Sequence, residues 1–268
     1  MTTPRTRPGL VLVTAPLVAF LALPILVLVA RAVAGGGLLE AVARPAVISA
    51  LGLSLGTTAV SLLLTLALGT PLAYLLARRR FRGALLLETV IDLPIVLPPS
   101  VAGLALLLVL GQRGVLGGAL EIVGLTVPFT TLAVIVAQTF VAAPFYVRSA
   151  RAGLAAVDRD VEDAARADGA SEAQLFRLVT APLAGAALAA GAVMCWSRAL
   201  GEFGATIMFA GNVAGRTQTL PLVVYSEFGA GDLDASIAAA SVLVLAALGV
   251  LVSVRFLRFG RALDTRGG

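Results

Sequence analysis

The chain has no lysine, no histidine and a single cysteine among its 268 residues, and each of these absences excludes a kind of site. The phosphate-binding loop of an ATPase needs a lysine, whereas a Ser-His dyad or a His-rich zinc site needs histidine. A disulfide or a cysteine-cluster metal site needs more than Cys195 alone. The sequence therefore predicts no catalytic residue, no metal site and no resident cofactor on this chain.

Charge is also scarce. Charged residues make up 13% of the chain, against about 25% in soluble domains, while hydrophobic residues make up 59% and the mean hydropathy is +1.00. Six uncharged runs are near or above the ~20 residues that a helix needs to cross a membrane. We therefore predict an all-α polytopic membrane protein with six transmembrane helices, within residues 8–30, 45–77, 93–112, 122–147, 178–197 and 235–254.

A seventh apolar stretch, residues 203–215, is too short to cross the bilayer alone. It contains Gly204, Gly211 and Asn212, which do not favour a continuous helix. We expect it to complete the fifth span with an irregular segment, or to form a short re-entrant element lined by protein.

The distribution of arginine predicts the orientation, because cationic loops are retained on the cytoplasmic side. With the N-terminus inside, fifteen arginines fall on cytoplasmic segments and four, Arg31, Arg44, Arg113 and Arg216, fall outside. Both termini are thus predicted to be cytoplasmic in a multi-pass protein of the cytoplasmic membrane. The pI of about 10.6 reflects this topology and contact with anionic lipids of the bilayer, and no nucleic acid partner is expected.

Residues 148–182 interrupt the apolar chain with eleven charged side chains. Gly169 divides two Ala-rich stretches, and Ser171 with Gln174 three residues later fits a capping box at the start of a second helix. We predict a helix, a turn at Gly169 and a second helix on the cytoplasmic side, and we call residues 149–182 the charged segment. A pair of interfacial helices without a partner is the simpler alternative.

The charged segment resembles the cytoplasmic motif of ABC importer permeases, E-A-A, three residues, G, nine residues, I-x-L-P. Asp163, Val179 and Ala181 replace the Glu, Ile and Leu of that motif, and Glu162 offers the longer carboxylate one residue earlier. The resemblance implies a coupling helix that docks on a separate ATPase subunit, which would bind ATP and Mg. The residues that it assigns to coupling are Glu162, Asp163, Ala164, Ala165, Gly169 and Pro182.

A second resemblance is to the membrane subunit of molybdate importers. It is carried by Arg198-Ala-Leu-Gly-Glu-Phe-Gly-Ala-Thr206, Phe209-Ala-Gly-Asn212 and Gly215-Arg-Thr-Gln-Thr-Leu-Pro-Leu222, of which sulfate permeases share the first portion. The resemblance implies a single permease domain over residues 1–268 with the type I ABC importer fold. It further implies a homodimer, an extracytoplasmic oxyanion-binding protein as partner, and molybdate, or alternatively tungstate or sulfate, as cargo.

Arg198 and Glu202 lie four residues apart in or near the fifth span, where a charged residue usually faces a partner or a cavity. They either form an ion pair that fixes the span or place Arg198 on the path of an oxyanion. The outer loop after this span supplies further candidates for the path or its gate, although loop structure or docking of the binding protein would explain them equally. These candidates are Asn212, Arg216, Thr217, Gln218 and Thr219.

Other classes of protein fit the sequence less well. An intramembrane enzyme is disfavoured because the chain lacks histidine, lysine and paired Asp residues in facing spans. An ATP-independent secondary anion transporter would also use Arg198 and Glu202, but it has no reason to carry the charged segment.

Overall fold

The computed structural model describes residues 8–34, 44–79 and 81–264, and these residues form helices and no strand. Arg5, Arg7, Arg80 and Arg266, which contributed to the predicted orientation, lie outside them. The predicted all-α fold is confirmed. The helices are α1 Pro8–Ala34, α2 Pro45–Arg78, α3 Ala84–Val96, α4 Pro99–Leu110, α5 Gly117–Ile122, α6 Thr131–Ala155, α7 Arg159–Ala167, α8 Glu172–Leu183, α9 Gly185–Leu200, α10 Gly204–Phe209, α11 Leu220–Gly229 and α12 Leu233–Asp264.

Four of these helices, α1, α2, α6 and α12, are long and apolar enough to cross a membrane by themselves. Two bent pairs, α3 with α4 and α8 with α9, satisfy the same test only when each pair is taken together. The number of spans within the described residues is therefore four, or up to six if each bent pair counts as one.

The predicted third span, residues 93–112, is not one continuous helix. The chain bends by 118° between α3 and α4, at Leu97 and Pro98. Pro99 has no N–H to donate, and a residue before proline is pushed out of the helical region, so the double proline ends α3 and starts α4. α3 itself begins earlier than predicted, after Gly83 in the left-handed region with φ 96°.

The predicted bounds of the fourth and fifth spans are also wrong. Gly124, with φ 70°, and Pro128 prevent a helix from starting at residue 122, and α6 begins only after Thr130 accepts the backbone N–H of Ala133. α6 then continues to Ala155 through Arg148 and Arg151, which reach carboxylates of α3. The apolar run 178–197 is divided by a 77° bend between α8 and α9.

The centre of the molecule is a bundle of α2, α6 and α9 with small residues at its contacts. Gly69 of α2 lies against Tyr146 of α6, and Gly191 of α9 lies against Ser149 of α6. Small residues let membrane helices approach closely, and hydroxyl groups then bond across the helices. The Tyr146 and Thr70 hydroxyl oxygens lie 2.6 Å apart. This bundle is relevant to the charged segment because α6 precedes α7 and α8 in the chain and α9 follows them.

Candidate coupling site and translocation path

The charged segment folds into two helices joined by a turn, as its sequence predicts. Gly169 adopts φ 89° between α7 and α8, a conformation that favours glycine. Ser171 caps α8: its Oγ accepts the Gln174 backbone N–H, and the Gln174 side chain accepts the Ser171 backbone N–H at 2.9 Å. The predicted capping box is confirmed, and it sets the direction in which α8 leaves the turn.

Glu162 is the buried carboxylate of the charged segment. Its side chain is 2% exposed, and its Oε1 accepts hydrogen bonds from Arg78 Nη2 at 2.7 Å and from Thr180 Oγ1 at 2.6 Å. Arg78 is the last residue of α2, whereas Glu162 lies on α7 and Thr180 on α8. One carboxylate oxygen therefore joins α7 and α8 to the end of α2, 84 residues earlier in the chain.

Two further contacts hold the charged segment against the end of α2. The guanidinium of Arg78 donates to the carbonyl of Val157, in the linker between α6 and α7, at 3.3 Å. One turn earlier on α2, Tyr74 packs edge-on against Phe176 with ring centroids 5.2 Å apart. The last two turns of α2 thus contact the linker, α7 and α8 together.

Asp163, the residue at the motif position itself, has a different environment from Glu162. Its exposed carboxylate lies 2.7 Å from Arg166 Nη1, and Arg166 Nε lies 3.0 Å from Glu172. The hydrogen bonds of Arg166 raise the pKa of its guanidinium, and the bond to Glu172 has a larger effect than the bond to Asp163. Of the two alanines that follow, Ala164 is exposed and Ala165 half-buried. The solvent-facing side of α7 is therefore charged and accessible.

The buried and the exposed ion networks border the same cleft, which has a volume of about 260 Å³. It opens between the C-terminal end of α2 and the charged segment, so the exposed side of α7 adjoins the end of α2. Its lining residues are Tyr74, Arg78, Arg79, Arg159, Glu162, Asp163, Arg166 and Glu172.

Pro182 explains an irregularity in α8. Residues 176–180 form a π-helical turn in which the Ala181 N–H bonds to the carbonyl of Phe176, five residues back. A proline ring crowds the carbonyl four residues before it, here that of Leu178, and the wider turn relieves that crowding. The same turn directs Thr180 towards Glu162.

Arg198 and Glu202 form an ion pair, with Arg198 Nη1 2.6 Å from Glu202 Oε2. The other carboxylate oxygen accepts the backbone N–H of Ala205 at 2.7 Å at the start of α10. The Glu202 side chain has no exposed surface, whereas that of Arg198 is 28% exposed. The carboxylate is therefore enclosed, with one oxygen hydrogen-bonded and the other in the ion pair alone, while part of the Arg198 side chain remains exposed.

The segment around this pair is held by a close approach of α4 to α10. A Cβ at Gly103 would lie 2.6 Å from the carbonyl oxygen of Ala205, and one at Gly204 would lie 2.8 Å from Pro99 Cβ. Both glycines are required by this packing. α4 and α10 thus form one packed unit, which the hydrogen bond from Ala205 to Glu202 links to the Arg198–Glu202 pair.

The loop of residues 210–219, which was predicted to lie on the outer side, is held in place by hydrogen bonds. Asn212 and Gln218 both donate to Ser226 Oγ of α11, at 2.7 and 3.5 Å. Thr217 is buried and its Oγ1 accepts the Val213 N–H. Thr219 is buried, and its hydroxyl has no hydrogen-bond partner among the residues that the structure describes. The exposed Arg216 leaves its side chain at the surface, while its carbonyl accepts from Thr131.

Arg78, Thr180 and Ser226 were not among the residues predicted for the site. Arg78 is the first charged residue after the uncharged run 45–77, and it was counted among the fifteen arginines of the predicted cytoplasmic segments. Thr180 lies inside the motif spacing at a position where the motif specifies no residue. Arg78 and Thr180 lie 84 and 18 residues from their partner Glu162, and no local sequence pattern encodes contacts at such separations.

Comparison with known proteins shows the family to which the chain is similar. Residues 69–266 match the family described as binding-protein-dependent transport system inner membrane component. The molybdenum transport system permease ModB of Mycobacterium tuberculosis is 41% identical over 213 residues, 80% of each chain. The sulfate transport system permease CysT of Salmonella typhimurium is 37% identical over 224 residues, 83% of this chain and 81% of its own.

A solved structure of similar fold is a bacterial ABC transporter involved in the import of the acidic polysaccharide alginate. The TM-score is 0.65 at 17% sequence identity, over 80% of this chain and 79% of the other. At that identity the likeness concerns the fold alone. The family match and the relatives agree with it, and the chain belongs to the binding-protein-dependent transport system inner membrane component family.

Proposed function

We propose that this chain is the membrane subunit of an ATP-driven importer of molybdate or a related tetrahedral oxyanion. The observation that carries the proposal is the charged segment, a rigid helix pair that projects exposed charge from a bundle of membrane helices while its buried face is tied to α2. Relatives at 41% identity are named molybdenum transport permeases, which supports the choice of cargo. The sulfate permeases among the relatives make sulfate the second candidate.

The protein would lie in the bacterial inner membrane with both termini in the cytoplasm. The arginine distribution supports this orientation, because fifteen of the twenty arginines then face the side on which cationic loops are retained. The charged segment falls on the cytoplasmic side and the loop 210–219 on the outer side.

The partners follow from what the chain lacks and from its family. A chain without lysine has no phosphate-binding loop of the ATPase type, so ATP and Mg would bind to separate ATPase subunits docked at residues 162–169. A second copy of the chain would complete the path, and an extracytoplasmic binding protein would deliver the oxyanion to the outer loop.

Coupling would work through rigid contact. The turn at Gly169 and the capped start of α8 fix the angle between the two short helices, so that closure of the ATPase subunits moves them as a unit. The exposed Asp163 and its neighbours Ala164 and Ala165 would lie at the contact with the ATPase, and Pro182 would mark the end of the unit.

On the transport path, Arg198 would offer its open guanidinium to the passing oxyanion while Glu202 moderates the attraction. This balance matters because a transporter must release its cargo, and an unpaired buried arginine would hold a dianion tightly. Asn212, Arg216 and Gln218 would line the outer entrance, whereas the buried Thr217 and Thr219 would shape the loop.

The proposal is tested by reconstituting the chain with its ATPase and binding protein in liposomes and measuring uptake of radiolabelled molybdate. We expect uptake that needs ATP and the binding protein, and that unlabelled molybdate and tungstate inhibit more strongly than sulfate. A hydrolysis-deficient ATPase and empty liposomes are the controls.

Each alternative has its own result. Uptake of sulfate in preference to molybdate would assign the chain to the sulfate importers within the same family. Flux that is equal with and without ATP would contradict the importer mechanism and favour a secondary anion transporter.

A further inference from the structure

The backbone connects α7 and α8 of the charged segment to α6 at one end and to α9 at the other, and neither connection is a continuous straight helix. Towards the N-terminus, residues 156–158 form a non-helical link between α6 and α7. Towards the C-terminus, the π-helical turn at residues 176–180 and the 77° bend between α8 and α9 intervene. A displacement of the segment is therefore poorly transmitted along the chain, so contacts through space carry more weight.

Those contacts converge on one side chain of α2. The guanidinium of Arg78 bonds to the link before α7 at the Val157 carbonyl and to α7 itself at Glu162. Through the shared oxygen of Glu162, it is connected to Thr180 on α8. Each of the three parts of the charged segment is thus joined to the end of α2.

The burial of this cluster makes it resist movement of α7 relative to α2. Arg78 is 9% exposed and Glu162 2%, so water cannot replace their bonds if α7 slides across α2. The exposed Asp163–Arg166–Glu172 network can exchange its partners for water at little cost. The buried cluster, together with the packing of Tyr74 on Phe176, keeps the charged segment and α2 in one relative position.

We infer that Arg78, Glu162 and Thr180 form a joint through which the charged segment drives α2 during transport. In this arrangement Arg78 and Thr180 are positioning residues for coupling, although neither belongs to the motif. The inference rests on the proposed function, since it assigns a role in the same ATP-driven cycle.

The test uses the complete reconstituted complex and measures molybdate taken up per ATP hydrolysed in the presence of the binding protein. Thr180→Val removes the hydroxyl at nearly constant volume, and Thr180→Ser retains it. We expect Thr180→Val to lower the ratio by about threefold or more, the effect of losing a hydrogen bond to a charged group, while ATP hydrolysis continues. Thr180→Ser should behave like the wild type.

Glu162→Gln and Arg78→Met extend the test to the ion pair, and both should lower the ratio further than Thr180→Val. A matched control is the partly exposed pair of Arg151 and Glu88, 2.9 Å apart, which joins α6 to α3 and includes no residue of α7 or α8. Glu88→Gln should leave uptake per ATP unchanged.

The results separate the joint from the proposed function. A wild-type complex that hydrolyses ATP but takes up no tested oxyanion would overturn the proposed function. A coupled wild type combined with an unchanged ratio in Thr180→Val and Arg78→Met would overturn the joint alone. A parallel loss of uptake and hydrolysis, with the melting temperature lowered, would also overturn it, because it would indicate a purely structural contact.

Discussion

Two arginine–glutamate pairs with fully buried carboxylates occupy the two candidate regions, and they differ in what they leave free. Arg78–Glu162 joins residues 84 apart in sequence, and both partners are enclosed. Arg198–Glu202 joins residues four apart, and only the carboxylate is enclosed. The first pair fixes helices relative to one another. The second fixes the local backbone and keeps part of a guanidinium available. The first arrangement suits a joint between helices, and the second suits a translocation path.

The strongest way to break the second pair is Glu202→Ala. The substitution leaves Arg198 without its ion partner and the Ala205 N–H without its acceptor. We expect the free energy of unfolding to fall by about 3 kcal/mol, the lower end of the range for buried pairs that lose one partner, because the remaining Arg198 side chain is 28% exposed. Denaturant unfolding in detergent micelles measures the change.

The control for Glu202→Ala is Glu121→Ala, because Glu121 is exposed and forms no ion pair with any residue that the structure describes. Its loss should change stability by less than about 0.5 kcal/mol. Equal effects of the two substitutions would mean that Glu202 is not a structural partner of Arg198.

A smaller loss is expected from Gly103→Ala, which tests the packing behind Arg198. The added Cβ would meet the carbonyl of Ala205 and the Cβ of Met208, so α4 and α10 must separate. We expect a cost of about 1–3 kcal/mol. Gly52→Ala in α2 is the matched control because its Cβ meets open space, and it should be neutral or stabilising by up to ~1 kcal/mol.

Similar melting temperatures of the two glycine variants would refute the close approach of α4 and α10. If Gly103→Ala alone is destabilised, the region of Arg198–Glu202 depends on backbone packing. The region of Arg78–Glu162 depends instead on side-chain bonds.

Arg198→Lys separates the ion pair from the translocation path. Lysine keeps the positive charge beside Glu202 but not the planar set of donors that matches an oxyanion. We expect stability close to that of the wild type and an initial uptake rate lowered by about tenfold, equivalent to one charge-assisted hydrogen bond. Arg113→Lys, an exposed arginine after α4, is the control. Uptake at the wild-type rate in Arg198→Lys would leave this pair with a structural role alone.

Local chemistry accounts for what the sequence could predict. The turn at Gly169 and the capping box of Ser171 and Gln174 depend on residues within a few positions of one another, and both are present. The i, i+4 spacing of Arg198 and Glu202 was sufficient to suggest their pairing. The all-α membrane fold followed from long apolar runs.

The features that could not be predicted depend on helix-breaking residues inside an apolar run, or on contacts between residues far apart in sequence. An uncharged run gives the length of a span but not its breaks, so Pro98 and Pro99 divided a predicted helix and Gly124 delayed another. The partners of Glu162 come from α2 and α8, which only the packed bundle brings together. The buried state of Glu162 and the exposed state of Asp163 could not be distinguished from their adjacent positions.

The smallest expected effect, that of Asp163→Asn, sharpens the contrast between these two neighbours. The Asp163 side chain is 69% exposed, and Arg166 keeps Glu172 as a partner when the charge at residue 163 is removed. We expect the free energy of unfolding to change by less than about 1 kcal/mol, and the difference to shrink in high salt because exposed charges are screened. Unfolding of Asp163→Asn and Glu162→Gln side by side, at low and high ionic strength, measures it. A salt-independent loss in Asp163→Asn as large as that in Glu162→Gln would mean that both carboxylates support the fold, and that the exposed side of α7 is not kept charged for a partner.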